Sequence, residues 1–234
     1  MKLLVIIPAF NEEGNLGKLF EKLQEYEMDI VVINDCSTDN TIEICKQYSV
    51  NYIDLPNNLG IGGAVQTGYQ YAAKANYDIA IQIDGDGQHN PEYISAVIEP
   101  IILNEADLVI GSRYIHREGF QSSFMRRVGI KHFSWLIKLL LSKSITDPTS
   151  GLRACNRRVI NLFSNKYPTD FPEPETIVTL LRNNLKVVEV PVLMNHREMG
   201  LSSINKFKAV YYMIKVSIAI LIDFFRGKTK EITR

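Results

Sequence analysis

The chain has 234 residues, 46% of them apolar, with a mean hydropathy of −0.04 and no net charge at neutral pH. This composition supports a sizeable hydrophobic core, and it excludes both an intrinsically disordered chain and a protein with many membrane spans. No stretch rich in proline, glycine, serine or like charges divides the sequence, so we expect a single domain.

The zero net charge conceals a steep asymmetry along the chain. Residues 1–110 carry 5 basic and 17 acidic side chains, whereas residues 111–234 carry 21 basic and 9 acidic ones. An acidic half is suited to a metal ion and a neutral ligand, and a basic half is suited to phosphate groups or an anionic membrane surface. The alternative is that these charges only cover solvated surface.

Cysteine usage and hydropathy indicate the compartment. Cys36, Cys45 and Cys155 have neither paired nor metal-like spacing, which is typical of a reducing environment. The apolar run Leu3 to Ile7 is too short for a signal peptide and is soon followed by Glu12. No uncharged apolar stretch reaches the roughly 18 residues that a spanning helix needs. We therefore expect a cytoplasmic protein.

The first half of the sequence alternates short β-rich runs with amphipathic segments. This pattern is typical of an α/β fold with a mainly parallel central sheet flanked by helices. The predicted strands are Leu3 to Ile7, Ile30 to Asn34, Asn51 to Leu55, Ile79 to Ile83 and Leu108 to Ile110. The predicted helices are Glu13 to Tyr26, Asp39 to Tyr48, Gly63 to Ala75 and Pro91 to Leu103. Asn90 is expected to cap the last of these, because Pro91 suits the first helical turn.

After Gly111 the pattern changes to two longer amphipathic helices, Phe120 to Lys143 and Asn205 to Arg226, both rich in aromatic and basic residues. Such helices can lie along a membrane interface, with the apolar side in lipid and the basic side toward the headgroups. The alternative is that both helices pack against the sheet or within an oligomer.

The segment with the strongest chemical signal is the end of the fourth predicted strand. Asp84 and Asp86, separated by one glycine, follow the strand directly. Open α/β sheets bind ligands at the carboxyl ends of their strands. Two carboxylates there can hold Mg²⁺ or Mn²⁺, which neutralises a diphosphate and the charge that develops as it leaves. An isolated D-G-D is a weak signal, since acidic turns after strands are common.

The first two predicted strands also end in polar residues. Asp35 follows the second strand, where its carboxylate can accept a hydrogen bond from a nucleotide base or ribose. Ser37, Thr38 and Asp39 have an alternative interpretation as caps of the next helix.

Further motifs accompany these strand ends. They are P-A-F-N-E-E from Pro8 to Glu13, D-x-S-x-D-x-T from Asp35 to Thr41, N-x-G-x-G-G-A from Asn58 to Ala64, D-G-D-G-Q-H from Asp84 to His89, G-S-R-Y from Gly111 to Tyr114, S-G-L-R-A from Ser150 to Ala154, and V-E-V-P from Val188 to Pro191, which leads to R-x-x-G-x-S from Arg197 to Ser202. In this order they resemble family 2 glycosyltransferases of the GT-A fold, and more narrowly the branch of dolichyl-phosphate mannose synthases and bacterial polyprenyl-phosphate glycosyltransferases.

The resemblance covers residues 3–203 and implies a role for each group of motif residues. Residues 1–204 would form a GT-A catalytic domain, with residues 205–234 as an amphipathic helix and basic tail of the same unit. The nucleoside pocket would be lined by Pro8, Ala9, Glu12, Asp35 and Gly63. Asp84 would contact the ribose or the metal, Asp86 would be the principal ligand of Mg²⁺ or Mn²⁺, and Gln88 would lie beside the metal and the sugar phosphate. Donor or acceptor phosphates would be bound by Arg113, Arg126 or Arg127, Arg197 and Ser202.

The sequence departs from the family pattern in three places. Asn34 precedes Asp35 where the family commonly has two aspartates, and Cys36 replaces a usual glycine. Serine rather than lysine follows Ser202, which removes a phosphate-binding candidate. The segment Asp170 to Thr176 replaces the aromatic and acidic helix start that is usual near the acceptor.

That last segment bears on the chemistry of the acceptor. A hydroxyl acceptor needs a carboxylate base within hydrogen-bonding reach, for which Glu175, or else Glu173 or Asp170, is the candidate. A phosphate acceptor is already anionic and needs only arginines to position it. Alternatively, Glu173 and Glu175 only stabilise a helix N-terminus through its dipole.

The sequence thus predicts an inverting transferase that moves a sugar from a nucleotide-diphosphate sugar, most simply a UDP-sugar, to a polyprenyl phosphate at the cytoplasmic face of a membrane. The alternatives are transfer to a sugar hydroxyl of a lipid-linked, capsular or cell-wall glycan, and a non-catalytic scaffold of the same fold. A small membrane-protein partner or self-association through residues 205–226 is expected, and a nucleic-acid partner is not.

Overall fold

A computed structural model describes residues 1–116, 118–119, 122–170, 172–195 and 206–225. The strands within them are β1 (Leu3–Ala9), β2 (Asp29–Asn34), β3 (Asn51–Asp54), β4 (Ile79–Gln82), β5 (Leu108–Ser112), β6 (Arg153–Asn156) and β7 (Val187–Pro191). The α-helices are α1 (Glu13–Leu23), α2 (Thr41–Gln47), α3 (Gly60–Lys74), α4 (Ile94–Ile102), α5 (Phe124–Leu141), α6 (Arg157–Asn165), α7 (Pro172–Arg182) and α8 (Lys206–Phe225). A 3-10 turn, Pro91–Tyr93, precedes α4.

The strands of the described residues form one sheet in the order β3-β2-β1-β4-β6-β5-β7. Strand β6 runs antiparallel to β4 and β5, whereas the other pairs are parallel. The prediction of a mainly parallel sheet flanked by helices is therefore confirmed. The chain builds outward from β1 to β3 on one side and resumes with β4 on the other, so the strand order reverses between β1 and β4.

Strand β1 shows how the sequence determines two hydrophobic layers. Successive side chains of a strand point to opposite faces, so Leu4 and Ile6 join one core cluster, whereas Val5 and Ile7 join the other. All four are at most 1% exposed. A continuous apolar run of this kind is typical of a parallel strand covered by helices on both faces.

Glycines let α3 lie close to its neighbours. A Cβ atom on Gly68 would lie 2.2 Å from Ile6 Cγ2, and one on Gly62 would lie 2.2 Å from the carbonyl oxygen of Thr169. Both distances are far inside van der Waals contact, so larger residues would push α3 away from β1 and from the segment that leads into α7.

The five predicted strands are confirmed with shifts of one or two residues at their ends. The predicted helices correspond to α1 to α5 and α8, and the Asn90 side chain accepts a hydrogen bond from the Glu92 amide, as a cap should. Strands β6 and β7 and helix α6 were not predicted, and the start of α7 was predicted only by the alternative that places Glu173 and Glu175 at a helix N-terminus. Strand β6 contains Arg153 and Asn156, so it lacks the apolar run that marked the other inner strands.

The two long helices pack together through one side of each. His132 Nε2 lies 2.8 Å from Ser217 Oγ, and the rings of Phe133 and Tyr212 meet edge to face at 5.3 Å. Helix α8 also meets α7, where the Thr179 hydroxyl donates to Asp223 over 2.8 Å. Both helices thus contribute to the core, in line with the alternative that they pack against the rest of the protein. Each also keeps a row of exposed apolar side chains.

Candidate active site

The predicted aspartates follow β4 at the point where the strand order reverses. The Ile83 amide donates to the Ile6 carbonyl over 3.0 Å, which holds the end of β4 beside β1. A Cβ atom on Gly85 would lie 3.2 Å from the Pro8 carbonyl oxygen, so the two strand ends lie close together. Ligands of open α/β sheets bind at such a reversal.

Asp84 is fixed in place by its neighbours. Its Oδ2 lies 3.1 Å from Nε2 of the buried His89. Burial opposes ionisation of Asp84, but the hydrogen bond and the charge of His89 outweigh it and hold the pKa of Asp84 below its usual value. The carboxylate therefore stays ionised at neutral pH.

Gly151, in the S-G-L-R-A motif, lies directly against Asp84. A Cβ atom on Gly151 would lie 2.3 Å from Asp84 Oδ2 and 2.7 Å from its Cγ. Only a residue without a side chain fits there. The sequence shows the motif but does not predict the contact of Gly151 with Asp84.

Asp86 and Gln88 lie on a loop that is hydrogen-bonded to the segment after β7. Asp86 Oδ1 accepts a hydrogen bond from the Gln88 amide over 3.1 Å. The Gln88 carbonyl accepts from the Asn195 amide over 2.9 Å, and His89 bridges to Met194. The D-G-D-G-Q-H loop is thereby attached to the chain that leads toward the predicted Arg197.

The two carboxylates suit a hard divalent cation whose coordination is completed by a substrate. The described residues contain no group of three or more His, Cys, Asp or Glu side chains that could enclose a metal ion. Asp84 and Asp86 still offer two carboxylates at the ligand-binding edge. Mg²⁺ is commonly held by one or two carboxylates together with substrate phosphates and water, which suits this arrangement.

The polar residues after β1 and β2 mainly bind one another. The Asn11 amide donates to Ser37 Oγ over 2.9 Å, and the Glu13 amide donates to Asp39 Oδ2 over 3.0 Å. Asp39 Oδ1 also accepts from the Thr41 amide over 3.0 Å. Asp39 thus binds the first amide of α2 from the position before the N-cap residue Asn40, and these residues hold the two loops in a fixed relation.

Asp35 lies at the end of β2, 4% exposed. Its Oδ1 accepts from the Leu59 amide over 2.7 Å, so it orders the loop before α3 whatever it contributes to a nucleoside. Asn34, one of the departures, donates to Asp54 Oδ1 over 2.7 Å and links β2 to β3. Cys36 has a φ of 62°, a left-handed conformation that explains why glycine is usual there.

Arg113 has a different environment from the one predicted. We expected its guanidinium to bind a phosphate, but the side chain is 2% exposed and paired with Asp147. Nε donates to Asp147 Oδ2 over 2.5 Å and NH2 donates to Oδ1 over 2.7 Å. A guanidinium held by this bidentate pair has its main donors engaged, so the surroundings of Arg113 favour a structural role over the predicted phosphate contact.

Glu189 of the V-E-V-P motif completes the same network. Its two carboxylate oxygens accept from the amides of Thr146 and Asp147, over 2.7 and 2.8 Å. Three motifs distant in sequence therefore meet at the loop 146–151. The sequence drew attention to each motif, but pairing across 34 and 42 residues could not be deduced from it.

The structure distinguishes between the neighbouring arginines at the start of α5. The charge of Arg126 helps to lower the pKa of Asp84 and opposes the rise in the pKa of Glu173, so this side chain lies on the site side. Arg127 lies about 100° further round the helix and is not among the main charges that act on either group. Arg126 is therefore the better candidate of the pair.

Glu173 and Glu175 differ in the same way, because residues two apart lie on different faces of a helix. Burial raises the pKa of Glu173, Arg153 opposes the rise, and the charge of Asp84 adds to it, which places Glu173 toward the site. Burial, followed by the charges of Asp223 and Asp170, raises the pKa of Glu175 to about 7, which places Glu175 toward α8.

The remaining predicted residues have simple positions. Pro8 and Ala9 end β1, and the Glu12 amide donates to Thr41 Oγ1 over 2.9 Å. Gly63 lies in the first turn of α3 against the Leu59 side chain. Arg197 and Ser202 lie outside the described residues.

Among the helices that the structure describes, none is both long and apolar enough to span a membrane.

Comparison with solved structures identifies the fold. Glucosyl-3-phosphoglycerate synthase from Mycobacterium tuberculosis, in complex with Mn²⁺, uridine diphosphate and phosphoglyceric acid, superposes with a TM-score of 0.73 at 18% identity. The match covers 97% of this chain and 80% of that one. The chain therefore has the GT-A fold, and the aspartate pair lies at its strand reversal.

Sequence comparison narrows the class. The model of glycosyl transferase family 2 matches residues 4–163, and the chain belongs to this family. It is 30% identical to UDP-N-acetylglucosamine–dolichyl-phosphate N-acetylglucosaminyltransferase of Methanococcus voltae, over 94% of this chain and 97% of that protein. It is 28% identical to polyprenol monophosphomannose synthase of Mycolicibacterium smegmatis, over 92% and 85%. Dolichol-phosphate mannosyltransferase of Pyrococcus furiosus is 33% identical over 92% of this chain and 62% of its own length.

Proposed function

We propose that this glycosyltransferase moves a sugar from a UDP-sugar to a polyprenyl phosphate at a membrane surface, with Mg²⁺ or Mn²⁺ at Asp86 and Asp84. The proposal rests on one observation: the aspartate pair lies at the strand reversal of the sheet, and Arg126 of the basic helix α5 is near enough for its charge to help lower the pKa of Asp84. The names of the three relatives above refer to dolichyl phosphate, polyprenol monophosphomannose and dolichol phosphate.

The roles of the described residues follow from their positions. The bound metal would neutralise the diphosphate as the bond to the anomeric carbon breaks. Arg126 orients the anionic acceptor, whose phosphate oxygen forms the new bond from the opposite side and inverts the configuration. His89 keeps Asp84 ionised and in place, Gly151 leaves room for its carboxylate, and UDP leaves with the electron pair.

The assay that tests this function uses the purified chain with radiolabelled UDP-N-acetylglucosamine, UDP-glucose or GDP-mannose and vesicles containing polyprenyl phosphate. We expect metal-dependent transfer of label into the organic phase from a UDP-sugar. Transfer only to a soluble or lipid-linked glycan would instead favour a hydroxyl acceptor. Absence of transfer from every donor would favour the scaffold alternative and overturn the proposal.

Glu173→Gln and Glu175→Gln form a matched pair that tests the acceptor. If the acceptor is a phosphate, no base is needed, and Glu173→Gln should reduce transfer less than about tenfold; a loss of about a hundredfold or more would indicate a hydroxyl acceptor. Glu175→Gln should retain transfer, because Glu175 lies toward α8.

Glu175→Gln should also change stability with pH. Since the pKa of Glu175 is about 7 in the folded protein and near 4.5 when unperturbed, the folded protein retains a proton that the unfolded chain has lost in this window, and stability falls as pH rises through it. The variant lacks this loss, so it should be more stable than the parent at pH 8 by about 1 kcal/mol, after allowance for solvent screening, and equal to it near pH 4. Thermal unfolding at the two pH values measures the difference.

We further propose that an apolar face on α5 and α8 contacts the cytoplasmic side of a membrane. The α5–α8 face consists of the exposed residues Phe124, Val128, Trp135, Leu139, Tyr211, Ile214, Ile218, Ile222 and Phe225. On α5 it is bordered by the exposed Lys131 and Lys138, which suit anionic headgroups. The other possible occupants are a small membrane protein and a second copy of the chain.

Trp135 is the single tryptophan of the sequence and 58% exposed, so it reports directly on this face. Its fluorescence should shift to the blue with vesicles that contain phosphatidylglycerol. Ile218→Glu should weaken vesicle binding about tenfold, whereas Leu103→Glu, on the exposed end of α4, should leave it unchanged. Self-association in solution without vesicle binding would assign the face to a second copy.

A further inference from the structure

Arg153 is a buried arginine at the start of β6 that no functional role above explains. It is 1% exposed and pairs in register with Gln82, two residues before Asp84. Its guanidinium donates to four acceptors: the carbonyls of Ser150 at 2.7 Å, Pro148 at 2.9 Å and Glu173 at 3.0 Å, and Thr176 Oγ1 at 2.9 Å.

The four acceptors belong to two separate parts of the site. Pro148 and Ser150 lie in the loop 146–151, whose Gly151 touches Asp84. Glu173 and Thr176 lie in the first turn and a half of α7. Arg153 therefore joins the start of α7, which carries Glu173, to the loop 146–151, which lies against Asp84.

The loop 146–151 has other supports. Arg113 and Glu189 bind Asp147 and Thr146, but neither reaches α7. Ordering the loop alone would not require the two bonds from Arg153 to α7. A buried charge is costly unless its donors are satisfied, so the arrangement suits a guanidinium with a fixed planar fork and excludes an equivalent lysine.

We propose that Arg153 is a positioning residue, which holds the loop 146–151 against the start of α7 and thereby keeps Asp84 and the α7 side of the site in the relation that transfer requires. This inference rests on the proposed function for the reaction that reports it. The hydrogen bonds of Arg153 also predict a second effect, a change in how well ordered α7 is. This effect does not depend on any substrate.

The test compares Arg153→Lys with Arg157→Lys. Arg157 also donates to main-chain carbonyls, those of Asn76 and Tyr77, but it is half exposed and lies away from the site. Arg153→Lys should lower kcat by tenfold to about a hundredfold with the KM for the donor changed less than about threefold, since a small misplacement of reacting groups costs this much. Arg157→Lys should leave both constants unchanged.

Amide hydrogen exchange provides the independent measurement. The amides of α7 should exchange at least about tenfold faster in Arg153→Lys and at the parental rate in Arg157→Lys. Thr176→Val removes a single acceptor from Arg153, and it should give smaller changes in the same direction if the lysine variant does not fold. The inference would be overturned if Arg153→Lys left exchange in α7 unchanged. It would also be overturned if this variant kept the parental kcat at a temperature well below its Tm. An inactive parent with the exchange difference intact would instead overturn the proposed function alone.

Discussion

Asp86→Ala should reduce sugar transfer about a thousandfold, which corresponds to roughly 4 kcal/mol of transition-state stabilisation. Asp86 lies on the short loop after β4, and its partner Asp84 is already engaged by His89 on Oδ2. Both carboxylates follow β4 at the strand reversal, and we expect Asp86 to be the principal ligand of the metal that a diphosphate leaving group requires. Calorimetric titration should show that Mn²⁺ no longer strengthens the binding of UDP.

A control variant shows that charge loss alone does not cause this effect. Glu99→Ala removes an exposed carboxylate from α4, on the surface and outside the site. It should retain parental transfer and metal-dependent binding of UDP. If Asp86→Ala kept more than about a tenth of the activity, Asp86 would not be the principal ligand, and the metal site would have to be sought elsewhere.

Gly151→Ala should reduce transfer about a hundredfold without removing any chemical group. The added methyl would lie 2.3 Å from Asp84 Oδ2, so either the carboxylate or the loop must move. Asp84 is held by His89, and the loop 146–151 is held by the buried Arg113 and Arg153. A movement of either one would therefore break hydrogen bonds. Metal-dependent UDP binding should weaken in parallel with the rate.

Gly129→Ala is the matched glycine control. A Cβ atom on Gly129 would lie 3.6 Å from Met213 Sδ, an ordinary contact, and the residue is inside α5. This variant should keep parental transfer and gain up to about 1 kcal/mol of stability from the better helix propensity of alanine. Parental activity in Gly151→Ala would show that the loop adapts and that its contact with Asp84 is not needed.

The strands were predictable where burial alone decides the sequence. Strands β1, β2, β4 and β5 are continuous apolar runs because helices cover both faces of the sheet. Strand β6 was missed because its place in the sheet depends on Arg153, a polar residue that the interior accepts only with four hydrogen bonds. No local pattern predicts such a strand.

The candidate site was predictable to a similar degree. Asp84 and Asp86 were found because they follow a recognisable strand, and strand ends meet at one edge of the sheet. The surroundings of Arg113 were not, since its partner Asp147 is 34 residues away. The choice between Glu173 and Glu175 depends on which face of α7 meets the sheet, and this packing is decided by residues elsewhere in the chain.

The network around the loop 146–151 has a consequence for the order of folding. Asp147 needs Arg113 from the end of β5 and Glu189 from β7, an edge strand late in the chain. The first four strands can pair before β7 is synthesised, but the loop beside Asp84 gains its full support only afterwards. Contacts of long sequence separation form late because closing them costs chain entropy. The nascent protein therefore acquires its scaffold first and its catalytic competence last.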